Sequence, residues 1–356
     1  MSSNRKETFF FISKCLTISI DEKNKFLVEK QIKNSEIDYD KLVELATSHC
    51  ILPALYCNLR RENLLNYLPS DLVEYMSYIT KINRDRNTDI LSQSQKLNFL
   101  LKENDINPIF LKGTGNLAMG LYSEISERMI GDIDMLISEK ELDKVIKILI
   151  NDGYQKLEHH KDYYPTFRHY SRLIKEDNIA AVEIHTEVII EDYRPEFNFK
   201  KISKETQIAN NFQVLNFENQ LIHSIIDSQI NDNCHYLNIF PLKNAYDTLL
   251  LSKKVDNTYE IIQSYNKLSE ALNCFFALCK HHFGNLDYLN FNKSAVTKKY
   301  LKKYHSSLGK KNFNLIFRLK SYKIILKRKF NKIKNSLFNQ KKRDWIIKRI
   351  KEIFLL

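Results

Sequence analysis

Apolar residues recur at helical spacing through the first hundred positions, as Leu42, Val43, Leu45 and Ala46, then as Leu91, Leu97, Leu100 and Leu101. Pro53 and Pro69 interrupt the pattern, so residues 1–105 read as several helices. At Asn107 the texture changes: Pro108-Ile109-Phe110-Leu111-Lys112 is a short apolar strand. Asp132-Ile133-Asp134-Met135-Leu136-Ile137 follows as a second, half-polar strand. Ser138 with Glu141 forms a capping box for a helix that ends at Gly153 and buries Leu142, Val145, Ile146 and Leu149. Tyr170–Lys175 and Ala181–Ile190 have strand character, with Glu176-Asp177-Asn178 as the turn between them. From Glu218 the helical period returns in Leu221, Ile222, Ile225 and Ile226, and again in Leu242, Ala245, Leu249 and Leu250. The order predicts an α+β chain: a core over 106–215 built on a short mixed sheet with helices on one face, helical regions over 1–105 and 216–291, and a tail over 292–356.

Composition changes this picture at two places. Four of the seven glycines, Gly113, Gly115, Gly120 and Gly131, fall in one short window. In a glycine-poor chain such clustering marks backbone that must turn sharply or pack closely. The net charge of +12 is also unevenly spread. From Asn292 onward 21 Lys/Arg face two acids, whereas the preceding residues carry 34 bases against 41 acids. The tail therefore attracts phosphate or anionic lipid, and the body does not.

Leu315, Ile316, Leu319, Leu326, Phe330, Ile333 and Leu337 recur at helical spacing among the tail lysines. Such a helix suits an anionic membrane or nucleic acid, or it packs on the body with a solvated basic face. The six cysteines show no CxxC pair or disulfide-scaffold spacing, which fits a reducing cytoplasm. No uncharged stretch approaches the roughly 20 residues of a spanning helix, so the expected location is cytoplasmic, peripheral to the inner membrane face if the tail binds lipid. His159-His160 read as solvent-exposed.

The chemistry concentrates on the two polar strands. Residues two apart on a strand share a face, so Asp132 and Asp134 present neighbouring carboxylates while Ile133 and Met135 point the other way. A hard divalent cation is the natural counter-charge, and magnesium combines a few carboxylates with substrate phosphates. The same alternation puts Glu183, His185 and Glu187 on one face of the later strand. Glu183 then completes a three-carboxylate cradle for two Mg²⁺ ions, with Mn²⁺ as an alternative. Upstream, Lys112-Gly113-Thr114-Gly115 follows a strand and opens a helix, where free backbone N–H groups attract phosphate. Lys112 or Arg128 adds charge near a triphosphate or, on a structural reading, neutralises the acidic pair. His185 orients a carboxylate from outside the metal ligands or is an ordinary hydrogen-bonded histidine.

Taken together, Ile109-Phe110-Leu111-Lys112-Gly113, Tyr122, Arg128 and Asp132–Ile137 resemble the signature of the uncharacterised nucleotidyltransferase family, within the DNA polymerase β-like superfamily. The likeness extends upstream to Leu45–Leu55 and downstream to Val182-Glu183-Ile184-His185 and Asp247, covering roughly residues 40–250. The resemblance implies a polymerase β-like catalytic core in which Asp132 and Asp134 are metal ligands, Gly113 belongs to the nucleotide-binding turn and Glu183 is the third acidic position. It departs from the superfamily in two ways. Lys-Gly stands where Gly-Ser is commoner, and Glu stands where Asp is commoner. The implied reaction moves an NMP from an NTP such as ATP to an acceptor, a small molecule, protein or RNA, with release of pyrophosphate. The competing reading is a nucleotide-holding relative that has lost catalysis, with the basic tail as its working part.

Overall fold

The computed structural model describes residues 4–157, 168–308, 313–337 and 339–354. His159 and His160 lie outside them. The chain is α+β, with a seven-stranded mixed sheet set among many helices. One continuous apolar core runs from Phe9 to Tyr304.

The helices begin where the sequence supplies caps. Asn4 and Glu7 make a reciprocal capping box, Asp21 and Asp38 cap the next two helices, and Pro53 sits in the first turn of Leu52–Arg61. Pro69 is the cap residue of Ser70–Lys102, a 33-residue helix about 50 Å long at 1.5 Å per residue. This helix braces the segment that leads into the acidic strand. Asn87 Nδ2 donates to the carbonyls of Ile125 (2.6 Å) and Arg128 (2.7 Å), and Asn83 Nδ2 donates to that of Ser126 at 2.7 Å.

The strands are β1 (Ile109–Phe110), β2 (Asp132–Leu136), β3 (Gln155–Lys156), β4 (Leu173–Ile174), β5 (Ala181–His185), β6 (Thr206–Ala209) and β7 (Phe212–Leu215). Their spatial order is β3-β4-β5-β2-β1-β7-β6. β2 and β5 lie side by side and parallel, with Asp134 opposite Glu183 and Leu136 opposite His185. β1 is antiparallel to β2 and parallel to β7. The capping box forms as expected and starts a helical segment through Leu142–Asn151, in which Leu142, Val145 and Leu149 are buried and Ile146 is half-buried.

Three details differ from expectation. The later strand stops at His185 rather than Ile190, because Thr186 and Glu187 turn their amides to the Arg168 carbonyl. Glu187 is thereby drawn away, and its carboxylate accepts from the Phe199 amide at 2.9 Å. β3 and the β6–β7 hairpin add strands that the apolar pattern did not signal. The hairpin closes on Asn210 and Asn211, both with positive φ (48° and 68°), the backbone that a tight two-residue hairpin turn requires.

Candidate active site

Asp132, Asp134, Glu183 and His185 come from two adjacent parallel strands and share one face, so the pleat itself gathers them. Ligand atoms of Asp134, Glu183 and His185 all lie within 4.8 Å of one another, and all three residues are buried. Asp132 stands at the more open end, its side chain 25% exposed. Arg172, one residue before β4, joins it to the cluster. Its guanidinium reaches Asp132 Oδ2 at 2.9 Å and Glu183 Oε1 at 2.6 Å.

Lys112 supplies the second cation, with Nζ 2.8 Å from Asp134 Oδ1 and 3.9 Å from Asp227 Oδ1. It opens the helix Lys112–Ala118 with a φ of +50°. A non-glycine residue in that region is strained by on the order of 1–3 kcal/mol, and here the turn aims the ammonium at the carboxylates. The glycines beside it serve close packing. A Cβ on Gly113 would lie 2.8 Å from Ile130 Cγ1, and one on Gly115 would lie 2.6 Å from the Phe110 carbonyl oxygen. Thr114 is buried, and its hydroxyl has no partner among the described residues.

The electrostatics follow from this crowding. For Asp134, burial favours the neutral acid, but the Lys112 charge and the His185 hydrogen bond outweigh it and hold the carboxyl below its usual range. For Glu183 burial acts in the same sense, and the His185 hydrogen bond and the Lys112 charge bring its pKa far down. Asp132 moves the other way: burial and the neighbouring Glu183 and Asp134 raise it despite Arg172. Burial opposes charge on Lys112 as well, yet Asp134 and Asp227 raise its pKa. His185 Nε2–H donates to Asp134 Oδ1 at 2.8 Å and lies 3.5 Å from Glu183 Oε2. Its buried Nδ1 has no partner among the described residues.

Arg128 lines a cavity together with Lys112, Asp132 and Asp134, and there it is ion-paired. Its Nε and Nη2 pair with the Asp247 carboxylate at 2.9–3.0 Å, and Tyr122 donates to the same carboxylate at 2.6 Å. Asn116 and Gln220 extend this buried network to the Lys112 turn. The guanidinium is committed to a carboxylate other than the acidic pair. Asp247, the resemblance's outlying position, is the carboxylate that balances Arg128, and it lines the same cavity.

This cavity, of about 160 Å³, opens beside the carboxylates. Its lining includes Lys112, Arg128, Asp132 and Asp134 from the core segment, with His223, Asp227, Lys243 and Asp247 from the helices that follow. His223 is fully buried with both ring nitrogens unpartnered among the described residues, and burial lowers its pKa to about 4. Asp227 begins a single π-helical turn, Asp227–Asn231, where Lys112 and Arg168 overcome burial and keep it ionised.

Arg172, Asp227, Arg168 and His223 were not singled out from the sequence. Arg172 was reachable in principle: in the hairpin, Leu173 pairs with Val182, so one step along sets Arg172 beside Glu183. The others arrive from distant segments. A further acidic cluster, Cys57 with Glu124 and Glu127, is already neutralised by Arg60, Arg61 and Arg84.

The donor set fits a divalent ion. Two buried carboxylates and a third at the rim face one another across a space now bridged by cationic side chains, the charge a metal would supply. Oxygen donors suit Mg²⁺, with Mn²⁺ as an alternative, while His185 Nε2–H stays on Asp134.

Comparison with curated proteins finds no match, and comparison with solved structures finds none either. The family model described as "Uncharacterised nucleotidyltransferase" matches residues 35–284, well over half of the sequence and the whole of the site just described, and the chain belongs to that family.

Proposed function

We propose that the chain transfers an NMP from an NTP to an acceptor, with Asp132, Asp134 and Glu183 as the metal ligands. The observation that carries this reading is the convergence of Asp134, Glu183 and His185 within 4.8 Å on paired parallel strands, with Asp132 on the same face. Bound there, Mg²⁺ would neutralise triphosphate charge and acidify the acceptor hydroxyl. On this reading segment 106–215 carries the chemistry, and the flanking helical regions brace it and supply Asp227 and His223.

The chain's own residues have defined tasks. Lys112 and Arg172 stand close enough to the carboxylates to meet the phosphates once these enter, and transfer relies mainly on such positioning and charge neutralisation. His185 holds Asp134 in orientation through its Nε2–H. The acceptor hydroxyl forms a bond to the α-phosphorus and gives up its proton to solvent, while the bond from the α-phosphorus to the bridging oxygen breaks and pyrophosphate leaves with that oxygen. Gly113 and Gly115 keep the turn close to β1 and Ile130, and Thr114 offers a hydroxyl without a partner among the described residues.

The test is label transfer from each of the four α-labelled NTPs into cell extract, with Asp132→Asn and Glu183→Gln as variants. Loss of Mg²⁺-dependent labelling in both, with an unchanged circular dichroism spectrum, is the expected outcome. Wild-type turnover in both defeats the assignment. The second reading, a nucleotide-holding protein without catalysis, draws on Lys112 and Arg172 already balancing the carboxylates. It requires Mg²⁺-dependent NTP binding with no transfer to any acceptor.

A further inference from the structure

The tail separates two faces of one helix. Phe313–Leu337 is a 25-residue helix fastened to the body along one side: Arg328 donates to the Asn231 carbonyl at 3.0 Å, and Ile324 and Asn331 close a cavity of about 750 Å³ against Ile190, Tyr193 and Tyr236. The next helix, Gln340–Phe354, adds a bond from Lys342 to Glu191 at 3.0 Å. At 100° per residue, Leu319, Tyr322, Leu326, Phe330, Ile333 and Leu337 fall within an arc of about 80° on the opposite side. They are 49–68% exposed, although Leu326 and Phe330 also reach the cavity rim. The side chains of Leu315 and Ile316, expected on the same stripe, lie outside the described set. Arg318 and Lys329 flank the stripe on one edge, and Lys323, Lys327 and Lys334 on the other.

We infer that this face docks the protein on an anionic lipid bilayer. A stripe of aliphatic and aromatic side chains between two basic rows matches an interface with apolar material below and phosphate beside it. Each basic residue near an anionic leaflet contributes about a fivefold gain in partitioning, and the apolar side chains sink roughly 5–10 Å to the acyl boundary. Nucleic acid would engage the basic rows but leave the aliphatic side chains in water, with Tyr322 and Phe330 the stripe's aromatic side chains for stacking. A second copy would bring together two tails, each with 21 bases against two acids. The chain's last helix packs beside this one and still leaves the stripe exposed. The inference stands apart from the nucleotidyltransfer reading.

The experiment is flotation of the full chain with phosphatidylcholine vesicles, with and without phosphatidylglycerol. The wild type should float with the anionic vesicles and not with the neutral ones. Leu319→Ser/Ile333→Ser/Leu337→Ser, all exposed and away from the cavity, and Lys323→Gln/Lys329→Gln/Lys334→Gln should each weaken flotation by about tenfold or more at unchanged helicity. Undiminished flotation of the serine variant would overturn the inference. So would a wild type that ignores both vesicles, whether it instead binds an RNA or DNA duplex or self-associates through the stripe in sedimentation.

Discussion

The Arg128–Asp247 pair decides whether the basic residue ahead of the acidic strand is scaffold or ligand site, and its energetics can be worked from the geometry. Arg128 is 6% exposed and Asp247 2%, with three nitrogen–oxygen distances of 2.9–3.0 Å and a tyrosine hydroxyl on the same carboxylate. Removing one partner of such a pair leaves an uncompensated buried charge, which costs about 3–5 kcal/mol. Asp247→Ala falls in the upper part of that range, because Lys243 shares the pocket and its pKa is already lowered, first of all by the Arg128 charge. The Met129 carbonyl, 2.7 Å from Nη1, is the acceptor that remains. Replacing both partners with apolar residues of similar volume, Arg128→Met with Asp247→Leu, should recover much of the loss. The assay is equilibrium urea unfolding of the wild type, the two singles and the double, from which the coupling energy follows. We expect a coupling of about 2 kcal/mol or more between the two sites. The reasoning fails if Asp247→Ala stays within about 1 kcal/mol of wild type. It fails also if Arg128→Met leaves stability intact while weakening NTP binding, because Arg128 would then be a triphosphate ligand.

Two other predictions use the site directly. Arg172→Gln removes a cation that touches both Asp132 and Glu183, so Mg²⁺ should bind at least about threefold more tightly by calorimetry; weaker binding would show that Arg172 supports the site rather than competing with the ion. His223 is neutral and buried, with a pKa lowered to about 4 against an ordinary 6.5. Since the unfolded chain takes up the proton first, stability should fall as pH drops from about 6.5 to 4, by up to roughly 1.4 kcal/mol per unit, and His223→Leu should remove that part of the slope in urea titrations across this window; an unchanged slope would mean the imidazole is protonated in the folded protein.

The sequence by itself carried the elements with strong local signals. Period 2 in Asp132–Ile137 gives a strand with both aspartates on one face, Ser138 and Glu141 give the cap, and Pro69 gives the start of the long helix, because each depends on residues within a few positions of one another. Strand identity with shared facing also brought Glu183 and His185 into view. What it did not carry is pairing. β2 lies parallel to β5 across 44 intervening residues, and only that register sets Glu183 opposite Asp134. Arg128 shows the same limit from the other side: its carboxylate partner, Asp247, lies far along the chain, and only the tertiary structure brings the two together. Lys112 meets Asp134 through a left-handed backbone turn, beside glycines packed against Ile130 and the Phe110 carbonyl. Charge compensation depends on which groups share low-dielectric space, and chain neighbours do not determine that.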